Sequence, residues 1–214
     1  MKQNTNSKKT YSRKARTVTV LVFLFSLVIF MGFGIEHETP TPVVNSKIAE
    51  KDSVASVKAF MKVYKVLMSP RCMNCHPSGD IPLQGDDSHL HAMFPKRGVE
   101  GKGVTAMKCM NCHQPTNISG PNTPPGDPNW HLPPANMKMV FQGRTPSQLA
   151  KQLVNPKTNG NKDMQQLIAH ADDGLVKAGW NPGDGRTLPP ISHAEFKKAW
   201  IEWIKTGAFA PKDK

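Results

Sequence analysis

The 214 residues include 28 Lys and Arg against 16 Asp and Glu, a formal charge of +12, with 38% hydrophobic and only 7% aromatic residues. That length holds one domain, and nineteen Pro with sixteen Gly foretell long irregular stretches around a modest core. Six of the positive charges precede residue 18 and no acid occurs before Glu36, so 22 basic and 16 acidic residues, a net +6, remain beyond. No basic stripe is interleaved with aromatics, and nucleic acid is excluded as the expected partner.

Residues 1–17 form a basic leader, and residues 18–35 are eighteen uncharged, mostly apolar positions. At about 1.5 Å per residue, a helix of that length just reaches across a hydrocarbon core. The leader's charge keeps the N-terminus in the cytoplasm and sends the rest to the periplasmic side of the inner membrane. Two alternatives stand for this segment. A retained anchor fits the length and the long leader. A cleaved signal peptide has only Gly32 and Gly34 as a small-x-small site. Residues 36–50, with Thr39-Pro40-Thr41-Pro42, read as a tether, and residues 51–214 as the folded domain.

The domain opens with an amphipathic helix over 53–68. Val54, Val57, Phe60, Met61, Tyr64, Leu67 and Met68 recur at helical spacing, and Ser69-Pro70 ends the run. Its apolar face is that of a core helix.

The four cysteines make two copies of one pentapeptide, Cys72-Met73-Asn74-Cys75-His76 and Cys109-Met110-Asn111-Cys112-His113. Cys-x-x-Cys-His is the attachment signature of a c-type haem. Two thiols three positions apart reach the two vinyl groups of one porphyrin. The adjoining histidine supplies a ligand to its iron. Cys72, Cys75, Cys109 and Cys112 are thus expected to bind two haem c groups, with His76 and His113 as proximal ligands. A Cys₄ zinc site is the competing explanation, but zinc does not require a histidine after each pair. Disulfides would leave both histidines unexplained.

Residues 77–108 are rich in glycine, and residues 114–136 contain seven prolines. Loops this long need an organiser, and a haem face is the expected one. Trp130 in the second loop packs on a porphyrin or on protein. Thr145-Pro146 with Gln148 marks a helix start that runs to about Val154. A short helix follows over about 162–171, then a turn-rich link over 179–190. Ser192 and Glu195 begin a last helix, with Phe196, Ala199, Trp200, Trp203 and Ile204 on one face and Gly207 as its stop. No strand pair is evident. The expected fold is mostly α and cytochrome c-like: a loop-rich dihaem domain behind an N-terminal transmembrane or signal helix.

Low-spin iron needs a second axial ligand from His or Met. His91, in the loop between the motifs, and His170, late on the 162–171 helix, are the expected distal pair. Met93 and His131 stand in reserve. Bis-His ligation at both irons implies lower potentials than His/Met.

With these motifs in place, the chain resembles the small dihaem c-type subunits grouped with isoquinoline 1-oxidoreductase and aldehyde-oxidising molybdenum hydroxylases. The resemblance covers most of residues 60–210. It rests on RCMNCHPSGDIPLQGDD (71–87), HAMFPKRGVEGKG (91–103), CMNCHQP (109–115), PPGDPNWHLPP (124–134), GWNPGDGR (179–186) and HAEFKKAWIEWIKTGAFAP (193–211). It implies an electron-accepting subunit of a periplasmic oxidoreductase complex, without a substrate site of its own. Its redox partner would be a molybdenum hydroxylase. The sequence holds no third Cys-x-x-Cys-His. A dihaem enzyme of the peroxidase type, or a haem-based sensor with one open iron, is the alternative.

Overall fold

A computed structural model describes residues 43–213 of the chain. The apolar segment 18–35 lies outside the described residues. Among the described residues, no helix is long and apolar enough to cross a membrane.

Helix α1 spans Val43–Leu67, so it takes in residues 43–50 of the expected tether. A single turn, α2 (Pro70–Met73), follows directly. Two minimal hairpins come next, β1 (Leu83–Gln84) with β2 (His89–Leu90), and β3 (Gly103–Val104) with β4 (Met107–Lys108). The remaining helices are α3 (Pro146–Val154), α4 (Met164–His170), α5 (Gly174–Ala178) and α6 (His193–Lys205). The fold is mostly helical with long loops. The two hairpins correct the expectation of no strand pairing. Each pairs only two residues per strand, too short for any alternating pattern to register.

Helix α1 packs along α6, and this pair is the centre of the core. The buried positions of α1 are Ser56, Ala59, Phe60, Val63, Val66 and Leu67. Val54, expected on the apolar face, is 65% exposed. The face is offset because Ser56 belongs to it. Its hydroxyl donates to the Trp203 carbonyl (3.0 Å) and accepts from the Phe209 amide (3.0 Å). Phe60 meets Trp203 ring to ring at 4.7 Å. Trp203 is fully buried, and truncating such a residue to Ala costs about 3–5 kcal/mol. Trp200 donates its indole N–H to the Leu167 carbonyl (2.7 Å), which ties α4 to α6.

The helix ends are set by local chemistry. Thr145, Asp163 and Ser192 each form a reciprocal capping box with the Gln or Glu three residues on. At the end of α6, Gly207 takes φ +103°, a conformation that favours glycine. The Ala208 amide then returns to the Trp203 carbonyl (2.8 Å).

Candidate haem-attachment sites

At the first motif, α1 delivers the chain into α2 with hardly a break. Ser69 donates its hydroxyl to the Val66 carbonyl (2.6 Å), and Pro70 begins the turn. Cys72 sits in α2. The Cys75 amide bonds the Cys72 carbonyl (3.2 Å) and the His76 amide bonds the Met73 carbonyl (2.9 Å). The two thiols and the imidazole therefore leave consecutive turns of one coil.

His76 is held from a distant part of the chain. Its Nδ1 lies 2.7 Å from the Met139 carbonyl oxygen. A carbonyl only accepts, so Nδ1 carries the proton and Nε2 carries the lone pair. The ring stacks on Phe141, with centroids 3.9 Å apart and planes 10° apart. The Phe141 and Gln142 amides donate back to the His76 carbonyl (2.9 and 3.3 Å). Gln152 of α3 fastens this strap by donating to the Val140 carbonyl (2.8 Å). Burial pushes the His76 pKa down to about 4, partly offset by the Met139 carbonyl, with His170 and Arg97 lowering it further. Burial drives the thiols the other way, Cys72 to about 12 and Cys75 to about 11. Burial thus favours the neutral thiol at both positions.

The second motif uses the same parts in different secondary structure. The β3–β4 hairpin leads into a 3₁₀ turn, Cys109–Asn111, and the Cys112 and His113 amides bond the Cys109 carbonyl (3.2 and 2.9 Å). His113 Nδ1 donates to the Pro125 carbonyl (2.7 Å). Its ring stacks on Trp130, with centroids 4.0 Å apart and planes 9° apart. Asp127 bends the chain between these two partners by accepting from the Asn129 amide (2.7 Å). The adjoining Gly126 runs close to its own loop, and its amide donates to Asn117 Oδ1 (2.8 Å). A methyl group there would lie 2.2 Å from the Thr116 carbonyl. Burial also lowers the His113 pKa, opposed by the Pro125 carbonyl.

Comparison with family models, with curated proteins and with solved structures gives no match.

The donor set at both motifs fits a covalently held haem. All four cysteines are free thiols. Each histidine has its Nδ1 tied to a backbone carbonyl, the arrangement that orients an imidazole for metal ligation through Nε2. Among the described residues, no three His, Cys, Asp or Glu side chains converge as a metal cluster.

Arg97 stands between the motifs with 1% of its surface exposed. It donates to the Pro133 carbonyl (2.6 Å) and the Gly79 carbonyl (3.0 Å), and its Nε lies 3.6 Å from Asp80. One guanidinium thus joins the loop after the first motif to the Pro-rich loop after the second. The Cys109 thiol adds to the rise in the Cys75 pKa that burial causes.

The candidate distal residues divide between the motifs. After burial and the carbonyl bond, His170 adds to the lowering of the His76 pKa and His91 to that of His113. His170 Nδ1 lies 2.6 Å from Asp173 Oδ2. His91 Nδ1 instead accepts from the Met93 amide (3.3 Å). Of the reserves, Met93 is 65% exposed, and His131 donates Nδ1 to the Asn129 carbonyl. Other histidines are engaged elsewhere: His193 Nε2 donates to the Ala171 carbonyl (2.8 Å), and His89 pairs with Asp87 (2.6 Å).

The carbonyls of Met139 and Pro125 and the ring of Phe141 are missing from the sequence expectations. Backbone acceptors leave no trace in residue identity. Phe141 had one available signal, as the aromatic that closes the short apolar run Met139-Val140-Phe141. Trp130, expected to pack on a porphyrin or on protein, stacks on His113.

Proposed function

We propose that the chain binds two c-type haems covalently and passes electrons. Cys72 and Cys75 hold the first haem and Cys109 and Cys112 the second, with His76 and His113 as proximal ligands. One observation carries this reading: the repeated arrangement in which each motif's histidine gives Nδ1–H to a carbonyl and lies flat on an aromatic ring. A bound haem supplies one-electron exchange between ferric and ferrous iron. The protein's part is to fix each imidazole's tautomer and rotation, exclude water and set the local charge.

His170 and His91 serve as distal ligands to the first and second haem in turn. Full ligation makes the chain a carrier without a substrate site. Its place is the periplasmic side of the inner membrane, held or exported by the N-terminal helix. It acts there as the electron-accepting subunit of an oxidoreductase complex. The family resemblance supports a molybdenum hydroxylase as the redox partner.

A second reading has one specific support. His91 Nδ1 accepts an amide proton, which leaves the proton of the neutral ring on Nε2. That tautomer suits an open second iron and hence a dihaem enzyme or sensor.

The optical spectrum of the purified, reduced chain, with haem counted per chain and carbon monoxide added, decides between them. Two low-spin haems unresponsive to the gas are expected of a carrier. A carbon monoxide shift in one haem favours the open-iron reading, and fewer than two covalent haems overturns both.

A further inference from the structure

Asp173 occupies the N-cap position of α5 but does not cap it, for its side chain accepts no helix amide. Aspartate is among the strongest capping residues, and Asp163, one helix earlier, fills that role with a full capping box. The Asp173 carboxylate instead turns back to His170, with Oδ2 2.6 Å from Nδ1. The backbone supports this reversal, because the Asp173 amide donates to the His170 carbonyl (3.1 Å). His170 ends α4 and Asp173 precedes α5, so the pair closes the three-residue corner between the helices.

A carboxylate only accepts, so Nδ1 of His170 is the protonated nitrogen and Nε2 holds the lone pair. A carboxylate on the remote nitrogen of a ligating histidine fixes its tautomer and raises its basicity. His91 differs in both respects, since its Nδ1 accepts an amide proton and meets no carboxylate. The two expected distal ligands are therefore chemically unequal.

We propose that Asp173 is a positioning residue that holds His170 in its ligating tautomer and, through its negative charge, lowers the reduction potential of the first haem selectively. This rests on the dihaem reading with His170 as a distal ligand. A more basic imidazole stabilises ferric over ferrous iron. The pair lies at a surface corner, with the Asp173 side chain 57% exposed. The effect reaches the iron through the His170 ring rather than through a buried charge. The second haem has no equivalent.

The test uses the full, haem-loaded chain and its D173N and D173E variants, with haem content, both midpoint potentials and the ferric low-spin resonance signals measured. D173N is expected to keep two low-spin haems that ignore carbon monoxide. One of its two potentials shifts upward and one of its two ferric signals moves, while the other haem is unaffected. D173E, which restores a carboxylate, returns the shifted potential toward the wild-type value. Unchanged potentials and signals in D173N overturn the proposal, as does an equal shift of both haems, which is the mark of general loosening. A wild-type chain without two covalent haems overturns the underlying reading along with it.

Discussion

Trp130 lies flat on His113, its ring plane within 9° of the imidazole and its centroid 4.0 Å away. The pair has no covalent reason to exist. The stack presses one face of the ring while the Pro125 carbonyl holds its edge, so the imidazole has no freedom to rotate. Phe141 does the same for His76.

Replacing Trp130 with Ala removes a half-buried aromatic and the stack, a loss of about 1–3 kcal/mol. Trp130→Phe should recover most of it. Thermal unfolding of the haem-loaded chain measures the cost. The visible spectrum should show the disturbance in one haem only, since Phe141 is untouched.

Gly126→Ala should be a selective lesion of the second site. The added methyl would meet the Thr116 carbonyl at 2.2 Å. Relief requires moving the peptide that carries the Pro125 carbonyl, and with it the partner of His113 Nδ1. The variant should attach two haems and show one with weakened axial ligation. An unaltered spectrum at full stability would mean that the loop absorbs the methyl.

His170→Ala should leave both haems attached and convert one iron to a high-spin form that binds carbon monoxide. A low-spin spectrum identical to wild type would remove His170 from the ligand set. The titration with the gas should saturate at one equivalent per chain.

Acid should weaken the fold of the haem-free chain from the ordinary histidine range downward. Folding lowers the His76 pKa from an ordinary 6.5 to about 4. Between those values the unfolded chain takes up a proton that the folded chain refuses. The stability linked to neutral His76 is thus present above about pH 6.5 and is lost as pH falls toward 4. The total is at most about 3 kcal/mol. Iron on Nε2 competes for the same lone pair and moves the loss to lower pH. Asp80, bonded to Lys138, and Asp86, bonded to Thr187, have lowered values, so the stability they contribute is present above the usual carboxylate range and is lost as pH falls through that range and below it. Urea unfolding of the haem-free chain at pH 7, 5.5 and 4.5 should show a progressive fall in midpoint. A flat profile would contradict a buried, neutral His76.

Much of this was legible in the residues. The helices around 145–154 and 192–205 announced themselves through Thr145-Pro146 with Gln148 and through Ser192 with Glu195, because a capping box is a local code. Trp200 and Trp203 are core, as their spacing required. The α1 face was misjudged at Val54 because hydropathy counts Ser56 as polar. In the fold, Ser56 satisfies two backbone groups and is buried. Helix α5, only five residues long, carries too little periodicity to be seen. The motifs named His76 and His113, but their holders, the Met139 and Pro125 carbonyls, are peptide groups common to every residue. Only the path of the chain selects them.

That path also imposes an order of assembly. The carbonyl that holds His113 lies 12 residues downstream, but the one that holds His76 lies 63 residues downstream, beyond the whole second motif. Loop-closure entropy disfavours the longer closure by about 1.5 kcal/mol. A chain that emerges N-terminus first therefore presents its later pentapeptide with a finished clamp while the earlier one still waits for Met139 and Phe141. The first Cys-x-x-Cys-His in the sequence is the last to acquire its surroundings.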